Sequence, residues 1–287
     1  MICEQTIIDS LSFEDTALHS GEKRRLTFYP ASVGSGILFR RADLPGMPEI
    51  RVSVDAAVPE ESYRRTTIAS PEGVRIHTVE HILSALYGLM IDNIIIEIDG
   101  DEAPFADGSA QPFVELLFSA GITQQNRMRD YVVIDRPIHF HEHPDVSVAA
   151  LPWDGFAITF FVEYKSRIVN KQEIHLSITP EVYRREIAPA RTYCFFKDIE
   201  EMRSQDLIKG GNLDRAIVIG EDGILNDSLR FPDEIIRHKV QDIIGDLALI
   251  GNQLKGHIIA KKSGHRAHVQ FIKMIKESLA DARKETH

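Results

Sequence analysis

The 287-residue sequence is poor in sulfur and indole, with two cysteines and a single tryptophan. Cys3 and Cys194 form no C-x-x-C pair, which excludes a disulfide framework and a cysteine-rich zinc module and leaves two reduced thiols. No uninterrupted apolar run approaches the roughly 18 residues that a membrane-spanning helix needs. The longest strand-like run, FAITFFV at 156–162, has the length of a buried strand. The opening MICEQTIIDSLSFEDT lacks a basic leader and carries Glu4 and Asp9 where a signal peptide is apolar, so the expectation is a cytoplasmic protein. Positive charge is short as well: 33 Lys and Arg against 43 Asp and Glu leave a formal net charge of −10. That excludes the broad basic surface needed for nucleic acid, but not an anionic ligand held by a few local lysines or arginines.

Apolar residues make up 43% and charged residues 26%, enough for a real core. The length suits about two domains. Alternating stretches at 5–8, 25–29, 36–40 and 51–54 read as strands between Gly, Pro and Asp turns. A helical segment follows at 77–90, then an alternating strand at 91–99 and a helix around 111–120. The polar stretch 121–130 reads as a linker. Beyond it come strands at 131–135, 147–151, 156–162 and 172–178, a helix at 196–203 and a strand at 215–219. A long helix at 232–251, a strand at 256–262 and a helix at 265–282 close the chain. Both halves run as strands, a helix, a strand and a closing helix, which suggests a duplicated α+β unit divided into residues 1–125 and 126–287.

Three segments carry candidate chemistry. Glu80 and His81 open a helix whose continuation, ILSALYGLM, is apolar nearly all round, so both would lie near protein interior. The structural alternative is a cap at Thr78 with Glu80 complementing the helix dipole. On the long helix, His238, Asp242 and Asp246 recur every four residues and share one stripe. Such a stripe is most simply a solvated face. Ile235 and Leu249 fall within it, however, and argue for cover by protein. A His and an Asp four apart can present nitrogen and oxygen to one metal ion, and a third ligand from elsewhere would leave a place for water. The third segment is Lys261-Lys262-Ser263-Gly264-His265, a strand-to-helix turn that reads either as an anion-facing corner or as a surface turn capped by Ser263. His141 and His143 alternate on a strand without an evident third ligand. His19, His77, His175, His257, His268 and His287 carry no usable pattern.

In order and spacing these segments resemble one family. They run from Ser12-Phe13, Leu18-His19-Ser20-Gly21 and Thr78-Val79-Glu80-His81 to Asp107-Gly108-Ser109-Ala110 and Ala190-Arg191-Thr192-Tyr193. They continue through Leu229-Arg230-Phe231, His238-Lys239 with Asp242, Gly245-Asp246-Leu247 and Lys262-Ser263-Gly264-His265. The set is similar to the UDP-3-O-acyl-N-acetylglucosamine deacetylases, the zinc amidases of lipid A biosynthesis, over nearly the whole chain.

The resemblance implies an α+β fold of two similar domains, each a β-sheet layered with α-helices, with the active site at their interface. It implies one catalytic Zn2+ on His81, His238 and Asp242, and Glu80 as general base. It gives His265 as the cation that stabilises the oxyanion and protonates the leaving amine, supported by Asp246, and Thr192 as a hydrogen-bond donor to the tetrahedral intermediate. Lys239 would contact the nucleotide sugar, while Phe195, Phe196, Ile199, Leu213 and Val218 would form an apolar passage for the acyl chain. The implied partner is an acylated UDP-amino sugar, met by a monomer with no transmembrane segment and at most a weak peripheral contact with the inner membrane. Rival readings are a zinc amidase for another N-acetylated sugar and a catalytically silent relative that binds acylated nucleotide sugar. The chain departs from the family at Asp15-Thr16-Ala17, where Gly-Val-Gly is usual, at Ser166-Arg167, where His-Pro is common, and at His268, where asparagine is usual. These departures bear on the substrate surface more than on the reaction.

Overall fold

In the computed structural model, which describes residues 2–212, 215–226 and 228–285 without the side chains of His143 and 281–285, the sequence alternation becomes two layered sheets. The IIIEI run forms the strand Ile94–Ile98, with Ile94, Ile96 and Ile98 fully buried and Ile95 and Glu97 turned outward. It lies at the centre of a five-stranded sheet ordered Leu11–Thr16, Lys23–Pro30, Ile94–Ile98, Ile37–Arg41, Glu49–Arg51. The central strand runs antiparallel to Lys23–Pro30 and parallel to Ile37–Arg41.

The second sheet repeats that plan. Its order is Ile138–His143, Val146–Leu151, Gln253–Lys261, Phe156–Glu163, Lys171–Ser177, with Tyr131–Val133 added beside the start of Gln253–Lys261. The central strand is again antiparallel to one neighbour and parallel to the other. The duplication expected from element order is thus present in strand order and direction, and the fold is α+β. One contiguous core of buried apolar side chains runs through both sheets.

Among the described residues six α-helices accompany the sheets: α1 (Glu80–Gly88), α2 (Gln111–Ser119), α3 (Pro180–Val182), α4 (Ile199–Ser204), α5 (Glu234–Leu247) and α6 (His265–Glu285). α1 and α5 precede the central strands of their sheets, α2 and α6 follow them, and α1 packs directly on α5. α1 is buried along its whole length, as the nearly all-apolar run after His81 requires. Most of α5 is buried too, which removes the reading of its His-Asp stripe as a solvated face. Gly245 permits this crossing. A Cβ there would sit 2.2 Å from the backbone oxygen of Glu80 and 3.2 Å from the nitrogen of Ser84.

Several expectations are corrected. Residues 121–130 are no linker: Ile122–Met128 is a strand paired antiparallel with Cys3–Ile7, and its polarity reflects exposure along most of its length. α1 begins at Glu80 rather than 77, because Arg75–His77 is a strand and Thr78 turns the chain with φ 59°. Thr78 does not cap α1; its hydroxyl donates to Glu102 (3.2 Å). The 51–54 strand is displaced to Glu49–Arg51. Thr179-Pro180, a cap followed by a first-turn proline, starts α3 and its π-helical continuation Tyr183–Ile187, which the periodicity does not reveal. No helix among the described residues is long and apolar enough to cross a membrane.

The crossing at Gly245 generates a prediction. Gly245→Ala forces α5 away from α1 and should lower stability by about 1–3 kcal/mol through overpacking. Thermal unfolding measures that loss; an unchanged melting temperature would show that the helices do not need this contact.

Candidate metal centre

The α1–α5 crossing brings together residues from distant parts of the sequence. His81 lies in the first turn of α1, His238 and Asp242 on successive turns of α5, and all three are buried. One ligand atom of each lies within 4.8 Å of the others. The His81 and His238 rings stand 5.1 Å apart and nearly perpendicular, and His238 Nε2 is 3.2 Å from Asp242 Oδ1.

Hydrogen bonding fixes one imidazole. His238 Nδ1 is 3.0 Å from the carbonyl of Ala190, which can only accept, so Nδ1 carries a proton and Nε2 is the nitrogen turned toward the group. His81 Nδ1 is buried with no hydrogen-bond partner, an arrangement a bound cation would relieve. Burial, assisted by His238, pushes His81 down to about 3, so it is neutral. Burial alone would raise Asp242, but Lys239, His238 and His265 outweigh it and hold the carboxyl well below the usual range. Two imidazoles and an ionised carboxylate, with no fourth such residue in the group among those described, are the donor set of a cation site with an open position.

A second constellation adjoins the first. Glu80 is buried, and burial, opposed by His265, raises its carboxyl to about 7. The backbone N–H of Thr66 donates to Glu80 Oε2 (2.8 Å), leaving Oε1 for other work. His265 Nδ1 donates to Asp246 Oδ2 (2.8 Å), and the Thr66 hydroxyl donates to Asp246 Oδ1 (2.5 Å). Burial would lower His265, but the charges of Asp246 and Asp242 and the bond to Asp246 overcome it and raise the imidazole to about 9. Asp246, although buried, is held below its ordinary value, chiefly by His265. Asp246, His265 and His268 also lie within ligand distance of one another, but their nitrogens facing Asp246 are N–H donors, so this group is an ion-pair network rather than a cation site.

Both constellations open on a cavity of about 710 Å³. Glu80, His81, Thr192, His238, Lys239, Asp242 and His265 line it, together with Tyr164, Tyr193, Phe195, Ile199, Met202 and Val218. Thr192 is positioned by its N–H to Gly108 O (2.8 Å), and Lys239 Nζ donates to Asp242 Oδ2 (2.9 Å). Of the residues expected in the apolar passage, Phe195, Ile199 and Val218 line the cavity; Leu213 lies outside the described residues. Phe196 is 60% exposed and does not line it.

Sequence reasoning missed five contributors. Thr66, a threonine without pattern, touches both Glu80 and Asp246. His19 lines the cavity, Tyr164 and Tyr193 pair their hydroxyls at its wall, and His268 donates to Asp246. Ser263, expected as a cap, has its hydroxyl on His268.

A family model described as UDP-3-O-acyl N-acetylglycosamine deacetylase matches residues 4–277. The chain belongs to this deacetylase family. The UDP-3-O-acyl-N-acetylglucosamine deacetylase of Nitratidesulfovibrio vulgaris is 40% identical over 276 residues, covering 96% of this chain and 88% of that protein. That of Vibrio vulnificus is 40% identical over 278 residues, covering 96% and 90%. The bifunctional enzyme LpxC/FabZ of Chlorobaculum tepidum is 40% identical over 305 residues; the match covers 96% of this chain, which spans 65% of that relative's length. Membership agrees with the resemblance carried by the ordered motifs, and the amide-hydrolase class and deacetylase reaction stand with it.

The structure also gives a physical role to one departure from the family's pattern. Asp15, in the segment where the resemblance leads one to expect Gly-Val-Gly, takes both terminal nitrogens of Arg215 (2.6 and 2.9 Å), and Arg215 also donates to Thr16 O and Ala106 O. Nearby, Lys209 and Gly210 donate backbone N–H groups to His19 O and Leu18 O. The pair therefore fastens the segment that supplies Ile208 and Gly211 to the cavity wall. Asp15→Ala should speed tryptic cleavage after Lys209 by about fivefold or more through local opening, with little change in the melting temperature. Unchanged cleavage, followed by mass spectrometry, would count against the clamp.

Proposed function

We propose that this chain hydrolyses the N-acetyl group of UDP-3-O-acyl-N-acetylglucosamine in the cytoplasm, releasing acetate, with one Zn2+ held by His81, His238 and Asp242. The supporting observation is the meeting of two imidazoles and a carboxylate beside a buried carboxyl raised to about 7 and an imidazole raised to about 9, in a cavity with apolar walls.

When bound, zinc supplies a Lewis acid for the amide carbonyl and lowers the pKa of water toward neutrality. The protein's own groups move the protons. Glu80 Oε1, with Oε2 committed to Thr66, accepts the proton of the attacking water. The Thr192 hydroxyl donates to the carbonyl oxygen as it gains charge, and the His265 cation stabilises the same charge. Because His265 Nδ1–H is committed to Asp246, the proton given to the leaving amine is the one on Nε2. Lys239 contacts the nucleotide sugar, while Phe195, Ile199 and Val218 accommodate the acyl chain. Those apolar walls favour a lipid-bearing substrate over another N-acetylated sugar, and the complete set of chemical groups favours turnover over silent binding.

Deacetylation of acylated against unacylated UDP-N-acetylglucosamine, with chelator and zinc add-back, is the direct test; equal rates on both would sink the substrate assignment. Glu80→Gln should retain about one zinc per chain while losing roughly 10²–10⁴ in kcat, whereas Asp242→Ala should lose metal on dialysis. Metal loss in the first variant, or full occupancy in the second, would reassign the ligands.

The rate should fall on both sides of an optimum. Below about 7, Glu80 gains the proton that disables it as a base; above about 9, His265 loses the proton it must donate. A bound cation lowers both limbs without changing their order. His265→Ala should remove the basic limb, and a limb that persists would take the acid role from His265.

A further inference from the structure

His268 lies one turn beyond His265 on α6 and is only 1% exposed. Its Nδ1 is 2.6 Å from Asp246 Oδ2, the oxygen that also receives His265, and its Nε2 is 2.8 Å from Ser263 Oγ. Asp246 is fully buried, and its partners are therefore three: Thr66 on Oδ1, and His265 and His268 on Oδ2.

An ionised carboxylate only accepts, so His268 must carry a proton on Nδ1. A second imidazolium there would be buried close to the His265 cation and to the Lys239 ammonium. Burial, against the pull of Asp246, keeps His268 below its ordinary value. The remaining nitrogen, Nε2, then accepts the Ser263 hydroxyl proton. One tautomer satisfies every atom.

We propose that His268 is a positioning residue for the proposed acid: as a neutral Nδ1–H tautomer, set by Ser263, it gives Asp246 its third hydrogen bond and thereby holds both the carboxylate plane and the His265 ring. This rests on the reading of His265 as the proton donor. Asp246 Oδ2 divides its charge between two N–H groups, so His268 also limits how tightly His265 keeps its proton. The other charged groups facing His265 are Asp242 on α5 and Glu80 on α1, and neither touches His268 by hydrogen bond.

The substitutions follow from side-chain geometry. An asparagine amide nitrogen is attached to Cγ as Nδ1 is, so His268→Asn can keep the bond to Asp246 while giving up Ser263. His268→Gln reaches toward Ser263 instead, and His268→Leu keeps neither bond. In the zinc-loaded enzyme, His268→Asn should stay within about threefold of the parent in kcat. His268→Gln and His268→Leu should lose about tenfold or more in kcat, with KM changed less than about threefold and the basic limb displaced upward, because an unshared carboxylate holds the His265 proton more tightly.

A measurement on the unaltered protein needs no variant. Nitrogen-15 spectra of the histidine rings should show Nδ1 of His268 protonated and Nε2 bare. The opposite tautomer, or a His268 imidazolium at neutral pH, overturns the proposal, as does parental behaviour of both the Gln and Leu variants. His265→Ala, run in parallel, separates the two levels. If it leaves the basic limb in place, the proposed acid is wrong; if it removes the limb while the His268 variants are silent, only the role of His268 is lost.

Discussion

The close approach of α1 to α5 is the contact on which the rest of the structure depends. A glycine at 245 lets one helix backbone lie against the other at the level of Glu80. That contact places the first turn of α1, with its carboxyl and imidazole, opposite the two α5 residues that complete the group of three. Each helix immediately precedes the central strand of its own sheet, so the site is where two copies of one topology meet. Neither copy contains the full set of polar groups. The apolar core that continues through both copies supplies the rigidity that such a divided site requires.

Burial then sets the charge of each group. An isolated charge in such surroundings costs several kcal/mol, and each of these side chains is kept in one state by its neighbours. His81 is neutral because it is buried beside another imidazole, whereas His265 is cationic because two carboxylates face it. Glu80 has no cation in direct hydrogen-bonded contact and rises, while Asp242 and Asp246 have such partners and fall. Three carboxyls in one region thus take two different roles, a division that follows from their partners rather than from residue type.

Much of this was legible in the sequence, for identifiable reasons. The alternation of Ile94–Ile98 and the nearly all-apolar run of α1 after His81 announced a buried strand and a buried helix, and the repeated order of elements announced the duplication. His238, Asp242 and Asp246 were legible because helical periodicity turns spacing into a face. Ile235 and Leu249, falling in the same face, marked it as covered. Thr66 was not legible, since it acts partly through its backbone N–H, which every residue type but proline carries. The strand Ile122–Met128 was hidden by its polar composition, because pairing at an exposed position requires no apolar face. His19 and His268 stood without periodic neighbours, and only the tertiary fold brings them to their partners.

Thr66 offers the proton-taking carboxyl its backbone amide and the carboxylate behind the proton-giving imidazole its hydroxyl. Those two donors are separated by only a few bonds of a β-branched residue, whose side chain turns little. One residue therefore serves as a fixed gauge between the two ends of the proton path. A shift of either end must strain or break a bond to that gauge, and evolution could retune the spacing between acid and base by altering a single position that never meets the substrate's reacting atoms.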